Sequence, residues 1–582
     1  MSKQVLDYLQ KYNSIKGLSK DIKIYVLSNF TINPIKQFLE VELYNNKVNA
    51  EILLGGYDQY YQEVFDEKSK LYSSEPQAIV LALDFMKLFP EIEDNFHALS
   101  FDSKNNLIQD RLNLFKSIIQ QLRKKTNALI LINNFYLRKA VKDGILDVKS
   151  ELGIKEFILK FNLEAIQLCK NEINVFLVDS DKVVANGGVE SFDRKMEFMA
   201  DLLLSNQALL NLSKEYARYI KSMKGIIKKC LIFDLDNTLW GGVIGEDGIN
   251  GISLGTSYPG NTFLEFQKAI LNLYNKGFIL AINSKNNFED AIEVFRKHPN
   301  MVLKEEHFSI LKINWQDKAT NMREIVHELN IGLDSLVFFD DNPSERALIK
   351  QELPEVLVVN LSEDSSTYRD SLENLFAFDL LKITEEDKKR NQMYSQQKKR
   401  KELETSSNSM EEFLTNLEIK VNISDCDSFS LSRVTQMINK TNQFNLTTKR
   451  YDGSQMQTFF ENQNYKIYIV KVKDKFGDYG ITALAIIKKE EEVWIIDSFL
   501  LSCRVIGKTI EKALLQQIIE DAKKENVKIL KGKFIPTEKN KPCSTFYQEN
   551  GFSKFEKDNI WDFDLSQVVN LWPRWIKNND FY

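Results

Sequence analysis

The chain has 582 residues, more than a single hydrophobic core supports, so about two to four domains are expected. Hydrophobic residues make up 43%, charged residues 27%, and the formal net charge is −5, which argues against a general nucleic-acid binder. No apolar run reaches the roughly 20 residues of a membrane span and the first residues lack an apolar signal core, so a cytoplasmic protein without membrane partners is expected.

Residues 1–220 open with a short helix. The apolar run DIKIYVLSNFT, ending at Ser28-Asn29, reads as a strand, as do AIVLALDF, ALILINNF and VFLVDS. Helical patterns such as NLIQDRLNLFKSIIQQLRKKT lie between them, and that alternation predicts a parallel sheet with helical crossovers. A second set follows over 225–384: KKCLIFDLDNT, GFILAINSK, SLVFFDD and VLVVNL, each separated by a helical pattern. The charged stretch 385–413 reads as an exposed helical linker, and its basic run KKRK as a solvated helix face rather than a nucleic-acid site. Residues 414–582 differ. A three-strand meander is predicted, with turns at Lys475-Phe476-Gly477-Asp478 and Lys488-Lys489-Glu490-Glu491, and then an amphipathic helix opened by a glycine, an α+β pattern.

The chemistry concentrates at Phe233-Asp234-Leu235-Asp236-Asn237-Thr238-Leu239-Trp240. An apolar strand runs into two carboxylates two residues apart, at the sheet end where open α/β folds bind ligands. Such a pair is costly unless a cation neutralises it, and hard oxygen ligands suit Mg²⁺. The other strand ends agree: Asn283-Ser284-Lys285 follows the second strand, Asp340-Asp341-Asn342 a later one, and Lys318 lies between them. One sheet edge thus gathers carboxylates, a hydroxyl and a lysine, the makings of a phosphate-plus-magnesium site. The glycines of GGVIGEDGINGISLG fit a tight turn and a flap hairpin beside it. About 40 residues separate the first two strands, leaving no room for a large inserted cap.

These motifs resemble the haloacid-dehalogenase (HAD) superfamily. The resemblance implies that Asp234 is the nucleophile that forms an aspartyl-phosphate and Asp236 the acid/base. It implies that Thr238 orients the loop at the phosphate site, and that Ser284 and Lys318 hold the phosphoryl oxygens. Mg²⁺ is expected on Asp234, on Asp236 through its backbone carbonyl, and on Asp340 or Asp341.

The strings DLDNTLWGGVIGEDG, INWQDKATNM and FFDDNPSER, with FGDYGITALAI, DSFLLSCRVIGKTIE and FIPTEKNKPCSTFYQENGF in the tail, are similar to the FkbH-like family over roughly 225–580. The implied activity is a glyceryl transferase/phosphatase. Such a protein dephosphorylates 1,3-bisphosphoglycerate and loads a glyceryl unit onto the phosphopantetheine arm of an acyl carrier protein, for polyketide or tetronate assembly. Two alternatives stand beside it: a plain HAD phosphatase of a small phosphomonoester with a structural tail, and a docking scaffold with non-catalytic outer domains.

The tail resembles a GNAT-type acyltransferase. Arg504, Gly507, Lys508 and Thr509 fall where that fold binds coenzyme A, and they are candidates for the carrier arm, although Thr509 departs from the Gly/Ala of the pattern. Five cysteines, Cys169, Cys230, Cys426, Cys503 and Cys543, lack metal-type spacing and suit reduced thiols. Cys503 precedes the loop and is expected at a helix N-terminus, where a thiolate is favoured, as the acyl acceptor. The N-terminal region resembles an SGNH or flavodoxin-like domain with Ser28 at the nucleophile position. The motif that should supply a histidine base reads Asp193-Arg194-Lys195-Met196, so a non-hydrolytic domain that docks the carrier or covers the HAD site is expected.

Overall fold

The computed structural model describes residues 2–94, 96–139, 141–329, 331–383, 400, 403, 404, 406–554 and 559–578. The chain separates into two compact units, Met1–Ile226 and Ile227–Tyr582. None of the helices among the described residues is long and apolar enough to cross a membrane.

The first unit is built on five parallel strands, β1 (Ile22–Ser28), β2 (Ala50–Leu54), β3 (Ala78–Ala82), β4 (Leu129–Asn133) and β5 (Val175–Val178), in the order β2-β1-β3-β4-β5. Every residue of β3 and β4 is buried, as expected of strands covered on both faces. Helices Phe101–Lys125 and Ile154–Lys170 turn Phe115, Phe157 and Phe161 into that core.

The second unit holds two sheets. The first has β6 (Cys230–Phe233), β7 (Ile279–Ser284), β8 (Phe308–Ile313), β9 (Leu336–Phe339) and β10 (Leu357–Val358), all parallel, in the order β10-β9-β6-β7-β8. Strand order reverses between β6 and β9, so the loops after these two strands part and leave a crevice at their carboxyl ends. The flap hairpin expected after β6 is instead the helical stretch Ile244–Gly251, closed by an antiparallel Gly241–Ser253 bridge. Asp236 Oδ1 accepts from Ile244 N and Asp247 Oδ2 from Val243 N, and these two side chains pin the helix start.

In the two parallel sheets, the strands that the sequence did not predict, β2 and β8, are both edges. Polar residues interrupt them (Glu51, and Ser309 with Lys312), so neither shows the apolar run of a central strand.

The second sheet contains β11 (Lys420–Asp425), β12 (Phe444–Asn445), β13 (Tyr465–Asp474), β14 (Gly477–Lys489), β15 (Val493–Leu501), β16 (Ile529–Lys533), β17 (Ser553–Lys554), β18 (Ile560–Asp564) and β19 (Lys577–Asn578). The expected meander is β13-β14-β15. β15 runs parallel to β16, a pairing that requires a crossover, and helix Ile510–Lys524 supplies it. β15 changes partner along its length: Val493–Ile496 pair with β16, while Leu500 and Leu501 pair with β12. The expected 385–413 linker falls largely outside the described residues. Arg400 of its basic run is described and is no solvated face. It is 2% exposed and forms a bidentate pair with Asp474, at 2.6 and 2.9 Å.

Candidate active site

The carboxyl ends of β6, β7 and β9 and the start of helix Lys318–Leu329 meet at the crevice. Asp234 follows β6, and its N–H donates to Phe339 O of β9 at 2.9 Å. Lys318 Nζ lies 2.9 Å from Asp234 Oδ2 and 2.5 Å from Asp340 Oδ2. Carboxylate oxygens of Asp234, Asp340 and Asp341 lie within 4.8 Å of one another, a hard-oxygen cluster of the kind that takes a divalent cation.

Three carboxylates against one lysine leave excess negative charge. Burial and the Asp234 charge push Asp340 up to about 7, with Lys318 offsetting part of the rise, and burial with Asp234 raises Asp341. Burial pulls Lys318 down, yet Asp234 and Asp340 outweigh it and hold the ammonium above its ordinary value. A cation seated among the three carboxylates would remove that conflict, so these residues fit a bound metal.

The neighbouring groups are fixed by bonds that spacing did not reveal. The carboxylate of Asp236 stands outside the three-carboxylate cluster. Its Oδ1 accepts from Trp240 Nε1 (2.9 Å) and Ile244 N (3.1 Å), and its Oδ2 from Asn286 Nδ2 (2.8 Å). Its side chain is therefore held as an acid/base candidate, not a metal ligand. Thr238 is buried, and its Oγ1 accepts from Asp341 N at 3.2 Å and ties the two acidic loops together. Ser284 closes β7 and is buried. Asn283 Nδ2 holds Lys318 O at 2.9 Å, and Arg346 Nη1 donates to the carbonyls of both Asp340 and Asp341 at 2.6 Å. The sequence assigned no role to Trp240, Asn286 or Arg346, although each lies within six residues of a predicted site residue.

The tail loop differs from expectation. Cys503–Val505 is a 3-10 turn, and the α-helix opens only at Ile510, so Cys503 does not sit at a helix N-terminus. Gly507 has φ +81° and Thr509 φ +60°, and the helix opens after Thr509 rather than at the glycine. Thr509 Oγ1 accepts from Trp575 Nε1 at 3.0 Å. Lys508 is 7% exposed, with Nζ 5.7 Å from the Phe413 ring, and burial with Arg400 nearby pushes its pKa down. Arg504 Nε donates to Ser502 Oγ at 3.2 Å. Burial raises the other thiols: Cys543 to about 11, Cys169 and Cys426 to about 12, and Cys230 further still.

In the first unit, Ser28 Oγ donates to Phe30 O and accepts from Phe30 N, and Asp193 Oδ1 caps Met196 N.

Residues 23–220 match the sequence profile of a family described as FkbH, N-terminal domain. Among solved structures, the chain resembles the N-terminal part of protein BF1531 from Bacteroides fragilis, described as containing a phosphatase domain complexed with Mg. Identity is 30% and the TM-score 0.59, over 65% of this chain and 98% of that one. The ribosomal-protein-S18-alanine N-acetyltransferase of Escherichia coli aligns at 12% identity over 26% of this chain and 96% of its own, with a TM-score of 0.20. An acetyltransferase of the GNAT family from Staphylococcus aureus Mu50 aligns at 14% over 25% and 99%, at 0.21. No curated protein matches the chain closely enough to count as a relative.

Proposed function

The chain belongs to the FkbH-like family, and from that premise we propose that it is a Mg²⁺-dependent HAD-type phosphatase and glyceryl transferase acting on 1,3-bisphosphoglycerate. The observation that carries the phosphatase reading is the convergence of Asp234, Asp340 and Asp341 on Lys318 at the carboxyl edge of a parallel sheet. The magnesium complex of the similar Bacteroides fragilis phosphatase domain supports it.

In this reading Asp234 attacks phosphorus and carries the phosphoryl group as an aspartyl-phosphate. Asp236, aimed by Trp240 and Asn286, gives a proton to the leaving oxygen and then takes one from the hydrolytic water. Ser284 and Lys318 hold the phosphoryl oxygens. Mg²⁺, held by Asp234 with Asp340 or Asp341 and the Asp236 carbonyl, would neutralise charge on those oxygens.

For the acyl half, the Cys503 thiolate attacks the acyl carbon, the bond from that carbon to the phosphate oxygen breaks, and inorganic phosphate leaves. The thiol of a carrier protein's phosphopantetheine arm then takes the acyl group by thioester exchange. Cys503 is half-buried, whereas Cys169, Cys230 and Cys543 are buried, and that accessibility supports it as the acceptor. A GNAT-like role for the tail is supported by the β15–β16 parallel pair with its crossover helix, and a non-hydrolytic first unit by the local bonding of Ser28. The test is intact-mass analysis of an acyl carrier protein incubated with the enzyme, Mg²⁺ and 1,3-bisphosphoglycerate. A glyceryl adduct is expected, and phosphate release with no adduct would leave only the phosphatase half.

A further inference from the structure

Lys285 directly follows Ser284 at the end of β7, and its Nζ lies 2.6 Å from Glu345 Oε1. Glu345 belongs to helix Pro343–Glu352, which starts after Asp340-Asp341-Asn342. β7 and β9 are the two neighbours of β6, so this ion pair crosses the carboxyl end of β6, where Asp234 stands. The Lys285 side chain is 38% exposed and that of Glu345 15%. The second oxygen of Glu345, Oε2, is buried and has no hydrogen-bond partner.

A carboxylate with one oxygen withdrawn from water and unpaired bears a desolvation cost that a single partly exposed ion pair barely offsets. The other cations around the site are committed: Lys318 to Asp234 and Asp340, Arg346 to two backbone carbonyls. Lys285 differs, because its ammonium is paired with a side chain that an incoming anion can displace.

We propose that Lys285 binds a second anionic group of the substrate, beyond the phosphoryl group at Asp234, and that Glu345 holds the ammonium in place until that anion displaces it. This inference rests on the reading of the site as a phosphatase and narrows its substrates to compounds carrying two phosphates. A phosphate dianion offers Lys285 more charge and more acceptors than the Glu345 carboxylate, so exchange favours the substrate.

The test compares phosphate release from p-nitrophenyl phosphate, 2,3-bisphosphoglycerate and 1,3-bisphosphoglycerate by wild type, Lys285→Met, Lys285→Arg and Glu345→Gln, with thermal melts to confirm folding. Loss of one charge-assisted bond is worth about tenfold to a hundredfold in kcat/KM. Lys285→Met is expected to lose that factor on the bisphosphates, mainly through KM, and a clearly smaller factor on the monophosphate. Lys285→Arg should recover part of the loss. Glu345→Gln should lower KM for the bisphosphates. Equal losses on all substrates for the Lys285 and Glu345 variants would show a structural latch and overturn the proposal. So would an unchanged bisphosphate KM in Lys285→Met, or failure of wild type to turn over either bisphosphate. If wild type accepts 2,3-bisphosphoglycerate but not 1,3-bisphosphoglycerate, the substrate reading above fails while Lys285 is still tested.

Discussion

Lys318 Nζ sits 2.5 Å from Asp340 Oδ2 with both side chains almost fully withdrawn from solvent, and the same ammonium reaches Asp234 at 2.9 Å. One buried cation therefore bridges two acidic loops. Removing one partner of a buried pair leaves an uncompensated charge and costs about 3–5 kcal/mol. Lys318→Met is expected to lower stability by that order without metal and by clearly less with saturating Mg²⁺, as read by chemical denaturation. A loss that Mg²⁺ does not reduce would disconnect Lys318 from the carboxylate cluster.

Asp234→Asn should abolish phosphate release, with a fall of several orders of magnitude, about 10⁴ or more, because it removes the attacking oxygen. Asp236→Asn should instead slow turnover and let phospho-enzyme accumulate, visible by intact mass after a short incubation. Normal release by Asp234→Asn would sink the phosphoryl-transfer assignment.

The metal-free site carries a pH signature of definite sign. Asp340 is raised to about 7 in the folded state, from an ordinary aspartate value near 4 in the unfolded chain. The folded state therefore binds the proton more tightly, and this contribution is fully present below pH ~4. It is lost as pH rises through about 7. In EDTA, stability from this group should fall between roughly pH 4 and 7, and Mg²⁺ should flatten that slope. A metal-free protein that gains stability across this window in step with Lys318 and Asp340 would contradict the charge balance described here.

Ser28→Ala should leave phosphate release and carrier loading near wild type. The Ser28 hydroxyl bonds to the backbone of Phe30, and its loss costs about 1 kcal/mol of stability. A hundredfold loss of turnover in a folded variant would reveal a second catalytic centre in the first unit.

Cys503→Ala should lose carrier loading while keeping phosphate release, because Asp234 is untouched. Brief treatment with iodoacetamide near pH 8 should label the half-buried Cys503 ahead of the buried Cys543, whose thiol is held up at about 11. Wild-type loading by Cys503→Ala would mean that the carrier thiol attacks the acyl phosphate directly.

The sequence by itself determined the order of the phosphoryl-transfer residues, because a carboxyl-end site draws its groups from loops that directly follow apolar strands. Each of Asp234, Ser284, Lys318 and Asp340 could be placed from the run before or around it. The meander β13-β14-β15 was legible for the same local reason. Tertiary structure alone decided the rest. Edge strands β2 and β8 carry polar residues and pair on one side only, so their identity comes from the neighbour they join. The Asp236 carboxylate stands apart from the three-carboxylate cluster because Trp240, Ile244 and Asn286 hold its oxygens. Lys508 became a buried cation and Arg400 a buried ion-pair partner through residues distant in the chain, Phe413 and Asp474. Lys285 meets Glu345 across 60 residues of sequence because β7 and β9 flank β6. Periodicity and motif report what a segment does locally. Where a charged side chain finds its counter-charge is set by which strands lie side by side.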